Sequence, residues 1–193
     1  MSIINILVLL FAYLLGSIPT GKILVWKLKG IDIQKHGSGN TGTTNVSRIL
    51  GKKWGIAVFF IDALKGFIPT MLAFYITQDL NFTLLAGFLA SFGHVFSVFL
   101  KFKGGKGVAT SVGVFFALVP FLVFATALFQ LIILKIYRVM SVATFSGIAM
   151  MSALALAFEP LEIFYFLIAF DLLIIFAHRQ NIKRLLKGKE LKI

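Results

Sequence analysis

The sequence predicts an all-α integral membrane protein. The expected fold is a seven-transmembrane-helix bundle with its N-terminus outside, its C-terminus in the cytoplasm, and short spans 4 and 5. Of the 193 residues, 59% are hydrophobic and 13% are charged, whereas soluble domains carry about 25% charged residues. Apolar runs recur near the roughly 20 residues that a helix needs to cross a bilayer. Basic residues are concentrated between these runs, so we expect a single membrane domain over residues 1–193.

The first apolar run is predicted to be a membrane span that stays in the protein, rather than a cleaved signal peptide. It lacks a basic segment before it and is followed by Lys22, Lys27 and Lys29, the reverse of a cleaved signal peptide. Its N-terminus is therefore expected outside the membrane. The apolar runs cover residues 3–26, 54–76, 82–100, 108–134, 139–158 and 161–177.

The run over 108–134 decides the predicted topology. A single helix there would place the lysines of 101–106 and the basic pair Lys135 and Arg138 on opposite membrane faces. A break near Pro120 into two short spans returns both clusters to one face, as the positive-inside rule favours. The outer connections, 77–81 and 159–162, then contain acidic residues and no basic ones.

Composition also narrows the function classes. A net charge of +12 is typical of nucleic-acid binding, but the charge lies in short segments between spans, so no nucleic-acid partner is expected. The absence of cysteine excludes disulfides, thiolate metal sites and a cysteine acyl-enzyme. The three scattered histidines predict no metal site and no cofactor.

Residues 36–45 form the first glycine loop, His36-Gly-Ser-Gly-Asn-Thr-Gly-Thr-Thr-Asn45. Its Gly-x-Gly-x-x-Gly pattern is a weak dinucleotide signal, because no strand precedes it. The alternative of a plain flexible loop leaves its many donors unexplained, and Arg48 can bind an oxyanion with two hydrogen bonds. The expected substrate-binding residues are Asn40, Thr41, Gly42, Thr43 and Asn45, and Ser38 and Arg48 are further donors of this loop.

Residues 101–107 form the second glycine loop, Lys101-Phe-Lys-Gly-Gly-Lys-Gly107. A positive-inside turn would explain its lysines but not its glycines. Glycines let backbone N–H groups approach an anion closely, and a helix beginning near Val108 would direct its dipole at the loop. We therefore expect Lys103, Gly104, Gly105, Lys106 and Gly107 to bind a phosphate.

Charged and titratable side chains near the spans add further candidates. Asp62 and Lys65 lie on one helix face, either as a structural ion pair or with Lys65 binding a substrate phosphate. His94 is interpreted as a packing residue. His178, with Asn181 after it, ends the last span at the cytoplasmic edge and is a candidate to accept a proton from an alcohol; the alternative is interfacial anchoring.

Together these motifs resemble one family, the bacterial acyl-phosphate:glycerol-3-phosphate acyltransferases (the PlsY family), over about residues 10–190. The resemblance rests on both glycine loops with Arg48, Asp62-x-x-Lys65-Gly66, Gly93-His94, Val108-Ala-Thr110, Gly16-Ser17 and His178-x-x-Asn-Ile-x-Arg-Leu185. One departure is Ser97, where the family pattern has proline. None of the three histidines has an acid five residues on, so the motif of thioester-using acyltransferases is absent.

The resemblance implies a bacterial inner-membrane enzyme with a cytoplasmic active site. It would move a fatty acyl group from acyl phosphate to position 1 of glycerol 3-phosphate, among membrane lipids and as a monomer. It further implies that Ser38 and Arg48 are essential, that Gly104, Gly105 and Gly107 hold glycerol 3-phosphate, that His178 and Asn181 act as a pair, and that Glu190 is structural.

Three questions stay open from the sequence. The proton of the attacking hydroxyl could pass to His178 or to a substrate phosphate. Which loop holds which phosphate is undetermined, as is the preferred acyl chain length. The alternative function classes are a transporter of phosphorylated metabolites, which would use the same cationic loops without chemistry, and a lipid- or phosphate-binding adaptor.

Overall fold

A computed structural model describes residues 2–193, and all regular secondary structure in this part of the chain is helical. The ten α-helices of this described part are α1 Ile3–Ser17, α2 Thr20–Lys29, α3 Thr43–Leu50, α4 Lys52–Thr77, α5 Leu80–Val95, α6 Val108–Leu118, α7 Pro120–Tyr137, α8 Met140–Phe158, α9 Leu161–Ala177 and α10 Arg179–Leu186. Short 3₁₀ turns occupy Ile33–Lys35 and Val98–Leu100. The all-α prediction is confirmed.

Five segments of the described chain are long and apolar enough to cross a membrane, and a sixth is the pair α9 and α10, bent by 62°. The five are Ile3–Lys29, Lys52–Thr77, Leu80–Leu100, Pro120–Tyr137 and Met140–Phe158. Helix α6 is apolar but has 11 residues, about 16 Å of helix against a hydrocarbon core of about 30 Å. The count of seven spans therefore stays a prediction.

The predicted break near Pro120 is present in the backbone. Helix α6 ends at Leu118, Val119 leaves the helical conformation, and α7 begins at Pro120. Proline suits a first helical position because it donates no hydrogen bond there. The prediction that both helices around the break are short is wrong for α7, which has 18 residues. Only α6 is short.

The chain divides into two compact units, one ending at Ala117 and the other covering Leu118–Ile193. In the first unit, α5 packs on α1 and α4, and small residues bring α1 close to α5 and α6 close to α4. A Cβ on Gly16 would collide with the backbone of Ala90, and one on Gly113 would collide with that of Ala63. Such contacts let helix backbones approach closely, as is common in membrane proteins. In the second unit, α8 packs against α7 and α9.

The first span is interrupted between α1 and α2, and buried side chains bind the carbonyls exposed there. Lys65 Nζ donates to Ile18 O at 2.6 Å, and Ser97 Oγ donates to Ser17 O at 2.5 Å. Unpaired backbone carbonyls inside a membrane cost several kcal/mol. Ser97, the departure from the family pattern, thus has a structural task here.

Candidate active site

The first glycine loop is held in shape from within by Asn45. Its Oδ1 accepts the N–H of Ser38 at 2.9 Å, and its Nδ2 donates to His36 O and Asn40 O, both at 2.9 Å. Asn45 is 1% exposed, and a Cβ on Gly37 would collide with its amide. We interpret Asn45, predicted from sequence as a substrate ligand, as the internal brace of the loop, because its amide group is already bonded on both sides.

The turn of the first loop requires glycine, since Gly37 and Gly39 have φ of +60° and +72°. Asn40 Oδ1 accepts the N–H of Gly42 at 2.9 Å, so Asn40 also serves the backbone. Gly42 then precedes α3, which begins at Thr43.

The remaining polar side chains of the first loop differ in exposure. Thr41 is buried, and its carbonyl lies where a Cβ on Gly21 of α2 would stand. Ser38 and Thr43 are half-buried, and Arg48, one turn and a half into α3, is exposed. Ser38, Thr43 and Arg48 are therefore accessible side chains of this region and stay candidate ligands.

The second glycine loop is bonded back to the end of α5. The N–H of Gly104 donates to Val95 O at 3.0 Å, and that of Gly105 donates to His94 O at 2.9 Å. These two N–H groups are therefore engaged within the protein. This changes the expectation that they contact a phosphate directly, and it moves the candidate backbone donors further along the loop.

Those donors lie where the second loop enters α6. Gly107 has φ of +77°, and its carbonyl accepts the N–H of Ser111 as the helix begins at Val108. The first N–H groups of a helix have no carbonyl of their own helix to bond, and the positive end of its dipole lies there. With Lys103 exposed and Lys106 half-buried beside this turn, the arrangement suits an anion.

A side-chain bridge joins the two glycine loops. Gln34, two residues before the first loop, donates from Nε2 to Lys103 O at 3.0 Å and accepts from Lys22 Nζ at 2.7 Å. Lys22 also pairs with Asp32 at 3.1 Å. The N–H of Gln34, together with Lys22, holds the pKa of the Asp32 carboxyl below its usual value. Both loops therefore belong to one polar cluster of the first unit.

Lys65 occupies an interior position in that unit. Its ammonium lies 2.7 Å from Asp62 Oδ1 and donates to Ile18 O, and both charged side chains are at most 5% exposed. This geometry fits the structural ion pair rather than the phosphate ligand, the two alternatives that the sequence left open.

In the second unit, His178 joins α9 to α10 and is 2% exposed. Its Nδ1 lies 2.8 Å from Ile174 O. Because a carbonyl only accepts hydrogen bonds, Nδ1 carries a proton, and in the neutral ring Nε2 is the acceptor. The ring of Phe145 packs edge-on against the imidazole at 5.3 Å. The orientation of His178 is thus fixed.

Asn181 is anchored by Glu190 in the C-terminal segment. Glu190 Oε1 accepts from Asn181 Nδ2 and, at 3.2 Å, from Ser141 Oγ, while Oε2 pairs with Arg184 Nε at 2.7 Å. Burial raises the pKa of Glu190, but the hydrogen bonds from Arg184, Asn181 and Ser141 outweigh burial and lower it. The structural role expected for Glu190 agrees with these contacts.

The sequence-predicted residues are therefore distributed over both units. The two loops and Lys65 lie in the first unit, and His178 and Asn181 lie in the second. Sequence reasoning missed Gln34, and it used Thr110 only as part of a family motif, without the role that its bond to His94 indicates. A glutamine or threonine beside a glycine loop has no distinctive pattern, and only the fold gives these residues partners.

Comparison with known proteins decides the family. A family model described as glycerol-3-phosphate acyltransferase matches residues 6–188. The glycerol-3-phosphate acyltransferase of Aquifex aeolicus is 47% identical over 186 residues, covering 94% of this chain and 95% of the relative. That of Geotalea daltonii is 42% identical, covering 96% of each chain. This chain belongs to the glycerol-3-phosphate acyltransferase family.

Solved structures of this family share the fold. The crystal structure of PlsY, an integral membrane glycerol 3-phosphate acyltransferase, in its glycerol 3-phosphate form has a TM-score of 0.92 at 42% identity. The aligned region covers 98% of this chain and 95% of the PlsY chain. The lysophosphatidic acid form has a TM-score of 0.90. The predicted PlsY family is confirmed, and membership of this acyltransferase family argues against the transporter and adaptor alternatives.

Proposed function

We propose that this membrane enzyme transfers a fatty acyl group from acyl phosphate to the 1-hydroxyl of glycerol 3-phosphate. The hydroxyl oxygen forms an ester bond with the acyl carbon, the bond from that carbon to the phosphate oxygen breaks, and lysophosphatidic acid and inorganic phosphate are released. Family membership supports the acyltransferase reaction and its acceptor. The observation that carries the proposal is the pair of cationic glycine loops joined through Gln34.

Two loops suit a reaction between two phosphorylated molecules. Acyl phosphate is a mixed anhydride with a good leaving group, so the protein need not form a covalent intermediate. The main task is to hold two like-charged substrates together and to align hydroxyl with carbonyl, and positioning of this kind contributes several kcal/mol. Donors at the beginning of α6 are placed to stabilise negative charge, including that of a tetrahedral oxyanion.

The first loop is proposed to contribute Ser38, Thr43 and Arg48 as ligands. Asn40 and Asn45 act by shaping the backbone, as do the buried Thr41 and the half-buried Gly42. Arg48 matches a phosphate or carbonyl oxygen with its planar fork of donors. We assign this loop, with Ser38 and Arg48, to the reaction centre.

The second loop is proposed to bind the phosphate of glycerol 3-phosphate. Lys103 and Lys106 supply charge, and Gly107 lets the chain turn into the first turn of α6. Gly104 and Gly105 allow the loop to lie against α5. Lysine binds phosphate as a compact charge whose contribution falls as salt rises.

His178 is proposed to orient the attacking hydroxyl, with Asn181 beside it, while a phosphate oxygen of the acyl donor takes the proton. The hydrogen-bond partner of His178 Nδ1 supports a role in orienting the hydroxyl rather than in taking its proton. In serine protease triads a carboxylate faces Nδ1 and stabilises the imidazolium, whereas here the partner is the neutral carbonyl of Ile174. Neutral His178 can accept a hydrogen bond at Nε2 without becoming charged.

A groove in the second unit is proposed to take the acyl chain. It has a volume of about 510 Å³ and is lined by Asp171 and by apolar side chains of α8, α9 and α10, including Phe145, Ile175 and Ile182. Phe145 also packs against His178. An acyl carbonyl beside His178 would therefore have apolar surface next to it.

We further propose that the enzyme is a monomer of seven spans in the bacterial inner membrane, with its active site facing the cytoplasm. The support is the distribution of charge. The lysines and arginines, apart from Lys65, lie in or near the segments assigned to the cytoplasm, and both glycine loops are among those segments.

Phosphate release by the purified protein in detergent tests the function. We expect release that requires both acyl phosphate and glycerol 3-phosphate, and no turnover of acyl-thioesters, whose leaving group lacks the phosphate that the cationic loops bind. Robust turnover of acyl-CoA would contradict the donor assignment. If no phosphate is released while an active family member releases it in the same assay, the assignment of this chain as an enzyme would be contradicted.

Two lysines of one loop provide a matched comparison. Lys103→Gln should raise the KM for glycerol 3-phosphate about tenfold or more, the usual worth of a lost charge-assisted hydrogen bond. Lys101→Gln removes the same charge from the same exposed loop at a position outside the proposed site. Equal effects of the two substitutions on this KM would mean that only the net charge of the loop, and not the position of Lys103, affects the binding of glycerol 3-phosphate.

A further inference from the structure

We propose that His94 is a positioning residue for the second glycine loop: its buried ring sets the shape in which the loop binds glycerol 3-phosphate. This inference rests on the proposed function, and within that function it gives a task to a residue that sequence reasoning treated as packing. His94 lies one residue before the end of α5 and is 8% exposed.

The loop is hydrogen-bonded to the end of α5 at two points. The carbonyl of His94 accepts the N–H of Gly105, and the next carbonyl, that of Val95, accepts the N–H of Gly104. The ring then lies against the same glycine, because a Cβ built on Gly105 would collide with Nε2 of the imidazole. Backbone and side chain of one residue thus hold Gly105 from two directions.

The ring is itself held from α6. Its Nδ1 lies 3.1 Å from Thr110 Oγ1, a fully buried hydroxyl in the first turn of α6. One turn before His94, Ser91 accepts from Ser111 at 3.2 Å. The imidazole therefore spans the end of α5, the loop and the beginning of α6, where the candidate phosphate donors lie.

The sequence suggested that glycine at position 105 lets an anion approach the backbone, and this geometry gives a different reason. Gly105 has an ordinary backbone conformation, since its φ is not in the positive range that favours glycine. Its N–H is bonded to His94, and a side chain there would point at the ring. Glycine is required because the imidazole fills the space of a Cβ, rather than because a phosphate does.

The two explanations predict opposite outcomes for a double substitution. If the ring is the obstacle, Gly105→Ala should raise the KM for glycerol 3-phosphate, and adding His94→Ala should make room for the new methyl group. If a bound phosphate is the obstacle, removing the ring should give no relief. Residues in contact couple by about 0.5–3 kcal/mol, roughly 2- to 150-fold.

The experiment measures kcat and the KM for each substrate in wild type, Gly105→Ala, His94→Ala and the double variant. We expect Gly105→Ala to raise the KM for glycerol 3-phosphate about tenfold, and the double variant to have a lower KM than Gly105→Ala. The KM for acyl phosphate should change little. A double-variant KM equal to or above the product of the single effects would overturn the proposal.

Thr110 provides a test that leaves the loop sequence intact. Thr110→Val removes the hydroxyl at nearly constant shape and should raise the KM for glycerol 3-phosphate a few-fold, about the worth of one hydrogen bond. Thr110→Ser keeps the hydroxyl and should restore the wild-type value. If Val and Ser variants have the same KM, the ring does not act through Thr110 and the positioning role is overturned.

The second unit contains a matched control pair. A Cβ on Gly147 of α8 would collide with the side-chain Nε2 of Gln130, the same steric relation at a place outside the loops. Gly147→Ala and its combination with Gln130→Ala should leave the KM for glycerol 3-phosphate unchanged. A rise there equal to that of Gly105→Ala would mean that any packing defect raises KM, which overturns the specific role of His94.

Failure of the proposed function is recognised separately. In that case wild type would show no phosphate release that depends on glycerol 3-phosphate, and the inference would fall with it. If wild type is active and Lys103→Gln raises KM while His94→Ala leaves it unchanged, the proposed function stands and the positioning role alone is overturned.

Discussion

The surroundings of His178 bear on how the attacking hydroxyl loses its proton. The Nδ1 proton is directed at the neutral backbone carbonyl of Ile174, the position at which serine protease triads place a carboxylate. Glu190, the acidic residue that follows His178 in the chain, binds Asn181, Arg184 and Ser141. At the scale of single residues, His178 is therefore better placed to accept a hydrogen bond than to act as a base.

Replacing His178 separates these two roles. Glutamine can place an acceptor oxygen near the position of Nε2 but cannot take up a proton. We expect His178→Gln to keep at least about ten times the kcat of His178→Ala, the worth of a hydrogen bond to a charged or reacting group. The measurement is single-turnover acyl transfer with both substrates saturating.

An equal loss in both variants, of about 10²–10⁴-fold, would instead indicate general base catalysis by the imidazole. Substrate binding must be intact for this comparison, so the KM values serve as the control. Leu172→Ala, which truncates an exposed side chain of α9, is the matched control for a change elsewhere on the same helix.

Single residues also mark where sequence reasoning reached its limit. The glycine loops could be identified because glycine and donor-rich clusters between apolar runs are rare, and the family resemblance then singled out Ser38 and Arg48. The division of labour among them could not be derived, since the sequence does not say whether Asn45 faces a ligand or its own loop. Burial at 1% exposure and three hydrogen bonds within the loop answered that question.

At the scale of elements, α10 depends on the C-terminal segment that follows it. The short helix Arg179–Leu186 is amphipathic, and Glu190 connects it to the first turn of α8 through Ser141. Because the folded-state pKa of Glu190 is depressed, its stabilising contribution is present above the unfolded-state pKa, near 4.5. The contribution is lost as pH falls below that value.

Glu190→Gln should therefore lower thermal stability at pH 7 and lower it less at pH 4 and below. Loss of the carboxylate leaves Arg184 without its ionic partner and weakens the hold on Asn181. The measurement is the unfolding temperature of wild type and variant in detergent across this pH range. A difference that is constant with pH would show that the charge of Glu190 does not matter.

At the scale of the whole molecule, the arrangement of charge predicts which connections share a membrane face. The break between α6 and α7 is present at Val119, as the positive-inside argument requires. Helix α6 is too short to cross a typical bilayer unaided at about 1.5 Å per residue. Its polar contacts to α5 and close packing on α4 are consistent with a helix sheltered by its neighbours.

Cysteines introduced into this cysteine-free chain test the topology. Lys101→Cys, Tyr137→Cys and Lys187→Cys lie at exposed positions and should react with an impermeant thiol reagent only after the membrane is opened. Asn81→Cys, in a predicted outer connection, should react in intact cells. Labelling of positions 101 and 137 from opposite sides would rule out the broken-span topology.

The sequence by itself determined that this is a helical membrane protein of the glycerol-3-phosphate acyltransferase family and which loops are candidates for its chemistry. Hydropathy, the side on which basic residues lie, and glycine-rich motifs are local patterns, and each is imposed by the bilayer or by a bound anion. The tertiary structure alone decided how those residues are used. Lys65 binds Asp62 and Ile18, Asn45 braces its own loop, and His94 occupies the space beside Gly105. Spacing alone suggested the pair of Asp62 and Lys65. The other assignments depend on how the backbone folds back on itself, which spacing along the chain does not specify.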